Sequence, residues 1–129
     1  IALGDDVEVC RAKGLDAREM DFSFLDFDDG RFDLVWCRHV LEHSVFPYFT
    51  LSEMHRVLKP GGLLYLEAPA PDTACRHQTN PNHYSVLGKS MWLELVRRAG
   101  FIDIGVTDVT LTTQAGPDLY WSFIARRGA

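Results

Sequence analysis

The stretch "FDLVWCRHVLEH", residues 32–43, decides how this chain is read. Phe32 to Cys37 form a nearly continuous apolar run, as expected of a strand buried on both faces. The segment after Cys37 can be taken two ways. His39-x-x-Glu42-His43 carries the residue types of a zinc-peptidase helix, with a carboxylate between two imidazoles one turn apart. It also suits the loop at the carboxyl end of a central strand, where open α/β sheets bind their ligands. The zinc reading needs both imidazoles on one continuous helix and a third ligand. Pro47 interrupts any helix soon after the motif, and Glu53 is the conceivable third ligand. The flanks favour the strand-end loop, and no metal is expected.

Outward from this stretch the elements alternate. Pro47 sits where a helix can begin, and Leu51, Met54, Val57 and Leu58 recur at helical spacing before Pro60-Gly61-Gly62 ends the run. "LLYLEAP" is a second buried strand. A long polar loop, "APDTACRHQTNPNHYS", precedes a helix with Ser85 as its cap, a face of Leu87, Met91, Leu95 and Ala99, and Gly100 as its stop. "FIDIGVTDVTL" and "DLYWSFIARR", joined by "TTQAGP", read as an antiparallel pair. Towards the start, "IAL" looks like the tail of a strand, "DDVEVCRAKG" like a short helix with acids in its first turn, and "LDAREMDF" like a short strand. Alternation of this kind argues for an α/β domain, a parallel sheet with helices on both faces.

Composition narrows the function. The 129 residues suit one domain. A net charge of −5 argues against a general nucleic-acid or membrane-surface binder, both of which favour basic patches. No apolar run approaches the ~20 residues of a membrane span. Cys10, Cys37 and Cys75 form no C-x-x-C pair, which favours reduced thiols and a cytoplasmic location. Trp36, Trp92 and Trp121 read as core.

Three pieces in register now carry a resemblance. "MDFSFLDFDDGRFDLV" is similar to the acidic loop and fourth strand of class I S-adenosylmethionine-dependent methyltransferases of the small-molecule type. "HVLEHS" resembles the family's segment after that strand, and "LKPGGLLYLEAP" its helix end, double-glycine turn and fifth strand. The resemblance implies a Rossmann-like methyltransferase fold over residues 1–129, mostly parallel, ending in an antiparallel strand pair. It implies S-adenosyl-L-methionine as cofactor and methyl transfer to an O, N or C nucleophile of a small molecule. The family's G-x-G-x-G turn, whose backbone approaches the cofactor closely, is absent from this chain. "IAL" fits the end of the family's second strand, so the first strand, glycine loop and first helix are expected to be missing. The 129 residues alone are then expected to be inactive and to self-associate through an exposed sheet edge. The alternative is a degenerate, non-catalytic module that binds a partner or small molecule in the remaining cleft.

The same resemblance assigns residues. Asp21 matches the acid that accepts from the adenine amino group, with Phe22 beside it; a turn-capping acid is the simpler reading. Cys37, Arg38 and His39 fall where the backbone nears the methionine end of the cofactor. Ala2, with Asp5 and Asp6 after it, lies near the ribose-binding acid. In the polar loop, His83 and Tyr84 join His43 as candidates for proton transfer or for orienting a nucleophile, since histidine titrates near neutral pH. Glu42 and His77 are candidate substrate contacts. A metal cluster of Cys75, His77 and His83 has no recognised ligand spacing.

Overall fold

The structure is a computed structural model and describes residues 4–129. The expected strand tail "IAL" and Ala2 lie outside the described residues. The elements run α1 (Gly4–Ala12), β1 (Phe32–Arg38), a 3₁₀ turn (Leu41–His43), α2 (Pro47–Val57), β2 (Leu58–Pro69), a second 3₁₀ turn (His77–Thr79), α3 (Lys89–Arg98), β3 (Phe101–Thr113) and β4 (Gly116–Arg127).

α1 starts with Asp5 and Asp6 in its first turn and carries Arg11 in its last, both favourable to the helix dipole. α2 opens on Pro47, whose missing N–H costs nothing in the first turn. Its buried residues, Thr50, Leu51, Met54 and Val57, form one helical face. The helix stops at Val57, before the Pro60-Gly61-Gly62 turn, and the chain passes straight into β2. The glycines shape that entry. Gly61 has φ +78°, and a Cβ on Gly62 would sit 2.9 Å from the Lys59 carbonyl oxygen.

The sheet order is β1-β2-β4-β3. β1 and β2 are parallel, Val35 opposite Leu64 and Cys37 opposite Leu66, whereas β4 pairs antiparallel with both β2 and β3. The fold is thus Rossmann-like, a mixed sheet closed by the expected antiparallel pair. One face carries Cys37, Leu64, Leu66, Ala68, Trp121, Phe123 and Ala125, all buried. With Leu51 and Met54 of α2 and Trp92, Leu95 and Val96 of α3, these side chains make the core.

The opposite face has a different character. Leu34, Trp36, Leu63 and Ile124 share it by register and are all exposed, Trp36 to 62%. Trp36 therefore departs from its expected place in the core; its ring stacks instead on Tyr65, centroids 4.0 Å apart. β1 pairs with β2 on one side and lies at the sheet edge.

Two further expectations are corrected. Residues 15–22 form no strand, because a strand exists only through a neighbour and none of the described strands pairs with it. Side chains hold this region instead. Arg56 of α2 donates to the carbonyls of Leu25 and Phe27 and to Asp29, while Glu53 accepts from the Leu25 amide at 3.0 Å. Nor does Ser85 cap α3. The N-cap is Gly88, and the Ser85 hydroxyl donates to the Ser44 carbonyl at 2.6 Å, tying the polar loop to the segment after β1. Met91 is exposed, and Trp92 takes the buried place on α3.

Candidate functional site

The sheet's carboxyl edge gathers most of the residues singled out in the sequence. β1 ends at Arg38, and His39 takes a left-handed conformation, φ +56°, that turns the chain out of the sheet. The 3₁₀ turn Leu41–His43 comes next and buries Leu41 and Glu42. Glu42 is 2% exposed, and its Oε2 has no hydrogen-bond partner among the described residues. The turn's backbone anchors the polar loop: the amides of Tyr84 and Ser85 both donate to the Glu42 carbonyl, at 2.9 and 3.0 Å. Thus His83 comes to lie against His43, ring centroids 4.7 Å apart and edge to face.

Rings continue from there. His83 stacks against His77 at 5.9 Å, His77 meets Tyr120 at 5.3 Å, and Tyr120 meets His39 at 4.6 Å. His39, His43, His77 and His83, scattered in the sequence, therefore line one band around Glu42. Tyr84 is exposed beside it. Asp21 and Phe22 lie in the acidic loop, and a chain of hydroxyls links that loop to the band. Ser23 meets Thr50 at 2.7 Å, and Thr50 meets Ser44 at 2.7 Å, one residue beyond His43.

Two carboxylates not singled out in the sequence organise the band. Glu67, near the end of β2, lies 3.0 Å from His39 Nε2 and 3.2 Å from Arg38 Nε, and accepts from the Tyr65 hydroxyl at 2.9 Å. Burial works most strongly against its ionisation, yet the bonds from Tyr65 and Arg38 outweigh it and hold the carboxyl below the usual range. Asp118, at the start of β4, sits 2.9 Å from His77 Nε2 and accepts from Thr73 and from the Leu119 amide. Here too burial opposes ionisation, and the hydrogen bonds from Thr73, His77 and Leu119 prevail. Each carboxylate left a signal: an acid inside an otherwise apolar strand run, "LLYLE" and "DLYWSF", has to be paired.

The remaining candidates sort by accessibility. Cys37 points into the core, where burial pushes its thiol up to about 12, so only its backbone can face a ligand. The Arg38 side chain is half exposed and engaged with Glu67. Asp21 Oδ1 accepts from the Ser23 amide at 2.8 Å, as a turn-capping acid does, and no partner for Oδ2 is present among the described residues. Glu53 is fully engaged by Arg56 and the Leu25 amide, so it is not free to act as the third ligand of a peptidase-type zinc site. His39 and His43 do not share a helix either, since a left-handed residue and a single 3₁₀ turn carry them.

Residues 5–66 match the Methyltransferase domain family. Over 75 residues the chain is 37% identical to the malonyl-[acyl-carrier protein] O-methyltransferase 1 of Coxiella burnetii, an alignment covering 57% of this chain and 27% of that protein. It is 28% identical over 100 residues to the tRNA U34 carboxymethyltransferase of Desulforapulum autotrophicum, covering 71% and 31%. The chain spans under a third of the length of these curated relatives. Among solved structures, a SAM-dependent methyltransferase from Archaeoglobus fulgidus superposes with a TM-score of 0.80 at 16% identity, covering 97% of this chain and 73% of that one. The [4+2]-cyclase SpnF superposes at 0.75 and 20% identity, covering 96% and 62%. Likenesses at that identity concern the fold alone.

The fold is the Rossmann-like fold of solved methyltransferases. Residues 5–66 are similar in sequence to methyltransferase domains, and the chain as a whole shares their fold.

Proposed function

We propose that this chain forms the acceptor side of a methyltransferase site that uses S-adenosyl-L-methionine and modifies an O, N or C nucleophile of a small molecule. The observation that carries this reading is the band of His39, Glu42, His43, His77 and His83 at the carboxyl ends of β1 and β2, directly after the strand that matches the family. That is where open α/β sheets bind ligands.

The described residues fit part of the cofactor. Asp21 offers a carboxylate oxygen to an adenine amino group, with Phe22 next to it. The left-handed turn at His39 leaves the backbone of Cys37, Arg38 and His39 at the end of β1 to face the methionine portion. No glycine-rich turn stands in the chain to complete the pocket. Bound S-adenosylmethionine would supply an electrophilic methyl group on a sulfonium. The chain's own task is then alignment and exclusion of water. In this reading His43 and His83 take a proton from the acceptor, Tyr84 orients it, and Glu42 and His77 contact it; the contacts of the His43, His83 and His77 rings support the grouping. A small acceptor suits the acidic balance of the chain, although one relative is named for tRNA. The free thiols of Cys10, Cys37 and Cys75 suit a reducing, cytoplasmic setting, and among the described residues no helix is long and apolar enough to cross a membrane.

Calorimetry with S-adenosylhomocysteine tests the reading, on this chain and on the longest product of its source gene. Binding by the longer product supports it. Binding by neither favours a degenerate, non-catalytic module.

A further inference from the structure

We infer that Glu42, His43 and His83 form a binding site for a divalent first-row transition metal ion of the zinc class. The ligand atoms of these three residues lie within 4.8 Å of one another. Around a tetrahedral zinc ion with bonds near 2 Å the same atoms would stand roughly 3.3 Å apart, so modest side-chain rotation closes the set.

Hydrogen bonds set both imidazoles for the task. His43 Nδ1 lies 2.9 Å from the Asn82 carbonyl oxygen, and His83 Nδ1 lies 2.8 Å from the His77 carbonyl oxygen. A carbonyl only accepts, so each Nδ1 carries the proton and each Nε2 keeps its lone pair. Donation of the second ring nitrogen to a carbonyl is the usual support of a metal-bound histidine. The contact from Asn80 Nδ2 to His83 Nε2, at 3.4 Å, is long and easily given up.

Glu42 is the independent sign. Its carboxylate is almost wholly buried, and Oε2 has no partner among the described residues. Buried carboxylates are paired or coordinate metals, because an unpaired buried charge is unfavourable. A cation between Glu42 and the two imidazoles removes that cost. Two histidines and one carboxylate make a three-ligand set with open positions, the pattern of reactive metal sites.

The neighbouring group of Cys75, His77 and Asp118 is also compact, but its atoms are already paired. His77 bonds to Asp118, Asp118 also accepts from Thr73, and Cys75 bonds to Thr113. Its part is to hold the His77 carbonyl against His83. The metal site stands whether or not the chain transfers methyl groups; with an ion bound, His43 and His83 serve as ligands in place of bases.

Titration of the chain with Co2+ in visible light is the test. The expected result is one equivalent bound, with d–d absorption of nitrogen and oxygen coordination. His83→Gln should weaken binding at least ~10-fold, and Cys75→Ser should leave it unchanged. The unsubstituted chain gives a second readout: on adding Zn2+, the imidazole resonances of His43 and His83 should shift together, and those of His55 should not. No absorption at millimolar Co2+ overturns the proposal. So does binding lost in Cys75→Ser, or shifts confined to other histidines.

Discussion

His39 and Glu67 hold each other across the ends of β1 and β2, Nε2 to Oε1 at 3.0 Å. Because Glu67 also binds Tyr65 and Arg38, one buried carboxylate orients three side chains at the edge of the site. Glu67→Ala should remove about 1–3 kcal/mol of stability, the cost of leaving charged-group hydrogen bonds unmade. Urea unfolding measures it. A loss no larger than that of Asp16→Ala, an exposed carboxylate paired with Arg18, would show that the cluster does not support the fold.

Glu53 sets an acid limit on the chain. The Arg56 guanidinium holds its carboxyl below the ordinary 4.5, with burial opposing. A carboxyl lowered by folding stabilises the native state above its unfolded value, and that contribution fades as pH falls through the folded value. Stability should therefore drop below about pH 4.5, the ordinary value, and the drop should shrink in Glu53→Gln. Parallel pH profiles for the two proteins would contradict this.

Gly100 ends α3 at φ +100°, and a Cβ there would stand 2.8 Å from His55 Nε2. Gly100→Ala should cost about 1–3 kcal/mol through backbone strain and the displaced ring. An unchanged midpoint in urea would show that His55 and the turn adjust freely.

The helices and hairpin were legible because they rest on local patterns: Pro47 opening α2, Gly100 closing α3, and two alternating runs around a tight turn. Residues 15–22 misled because alternation is only a precondition for a strand, and pairing is decided by partners far along the chain. Trp36 misled for a related reason. An apolar run cannot show which face of its sheet is covered. Ser85 has the chemistry of a helix cap, but the distant Ser44 carbonyl competes for its hydroxyl. At the site, "HVLEH" and the histidines of the polar loop stood out individually. Their convergence on Glu42 depends on two amide bonds to one carbonyl, which no spacing reveals.

Trp36 and its neighbours Leu34, Leu63 and Ile124 give the chain an apolar face beside an edge strand. Exposed edges and apolar patches recruit other chains. Light scattering should show the 129 residues self-associating, and Trp36→Lys should reduce it. A monodisperse monomer would contradict the expectation.

The most direct measurement is the affinity of the longest product of the source gene for S-adenosylhomocysteine, with and without Asp21→Ala. The expected result is clear binding, weakened by about 1–3 kcal/mol in the variant, since the role proposed for Asp21 is to hold the adenine end, away from the reacting atoms. The 129 residues alone should bind poorly, as they lack a glycine-rich turn. No binding by the longer product, or equal affinity with and without the Asp21 carboxylate, would contradict the placement of the cofactor on this edge of the sheet.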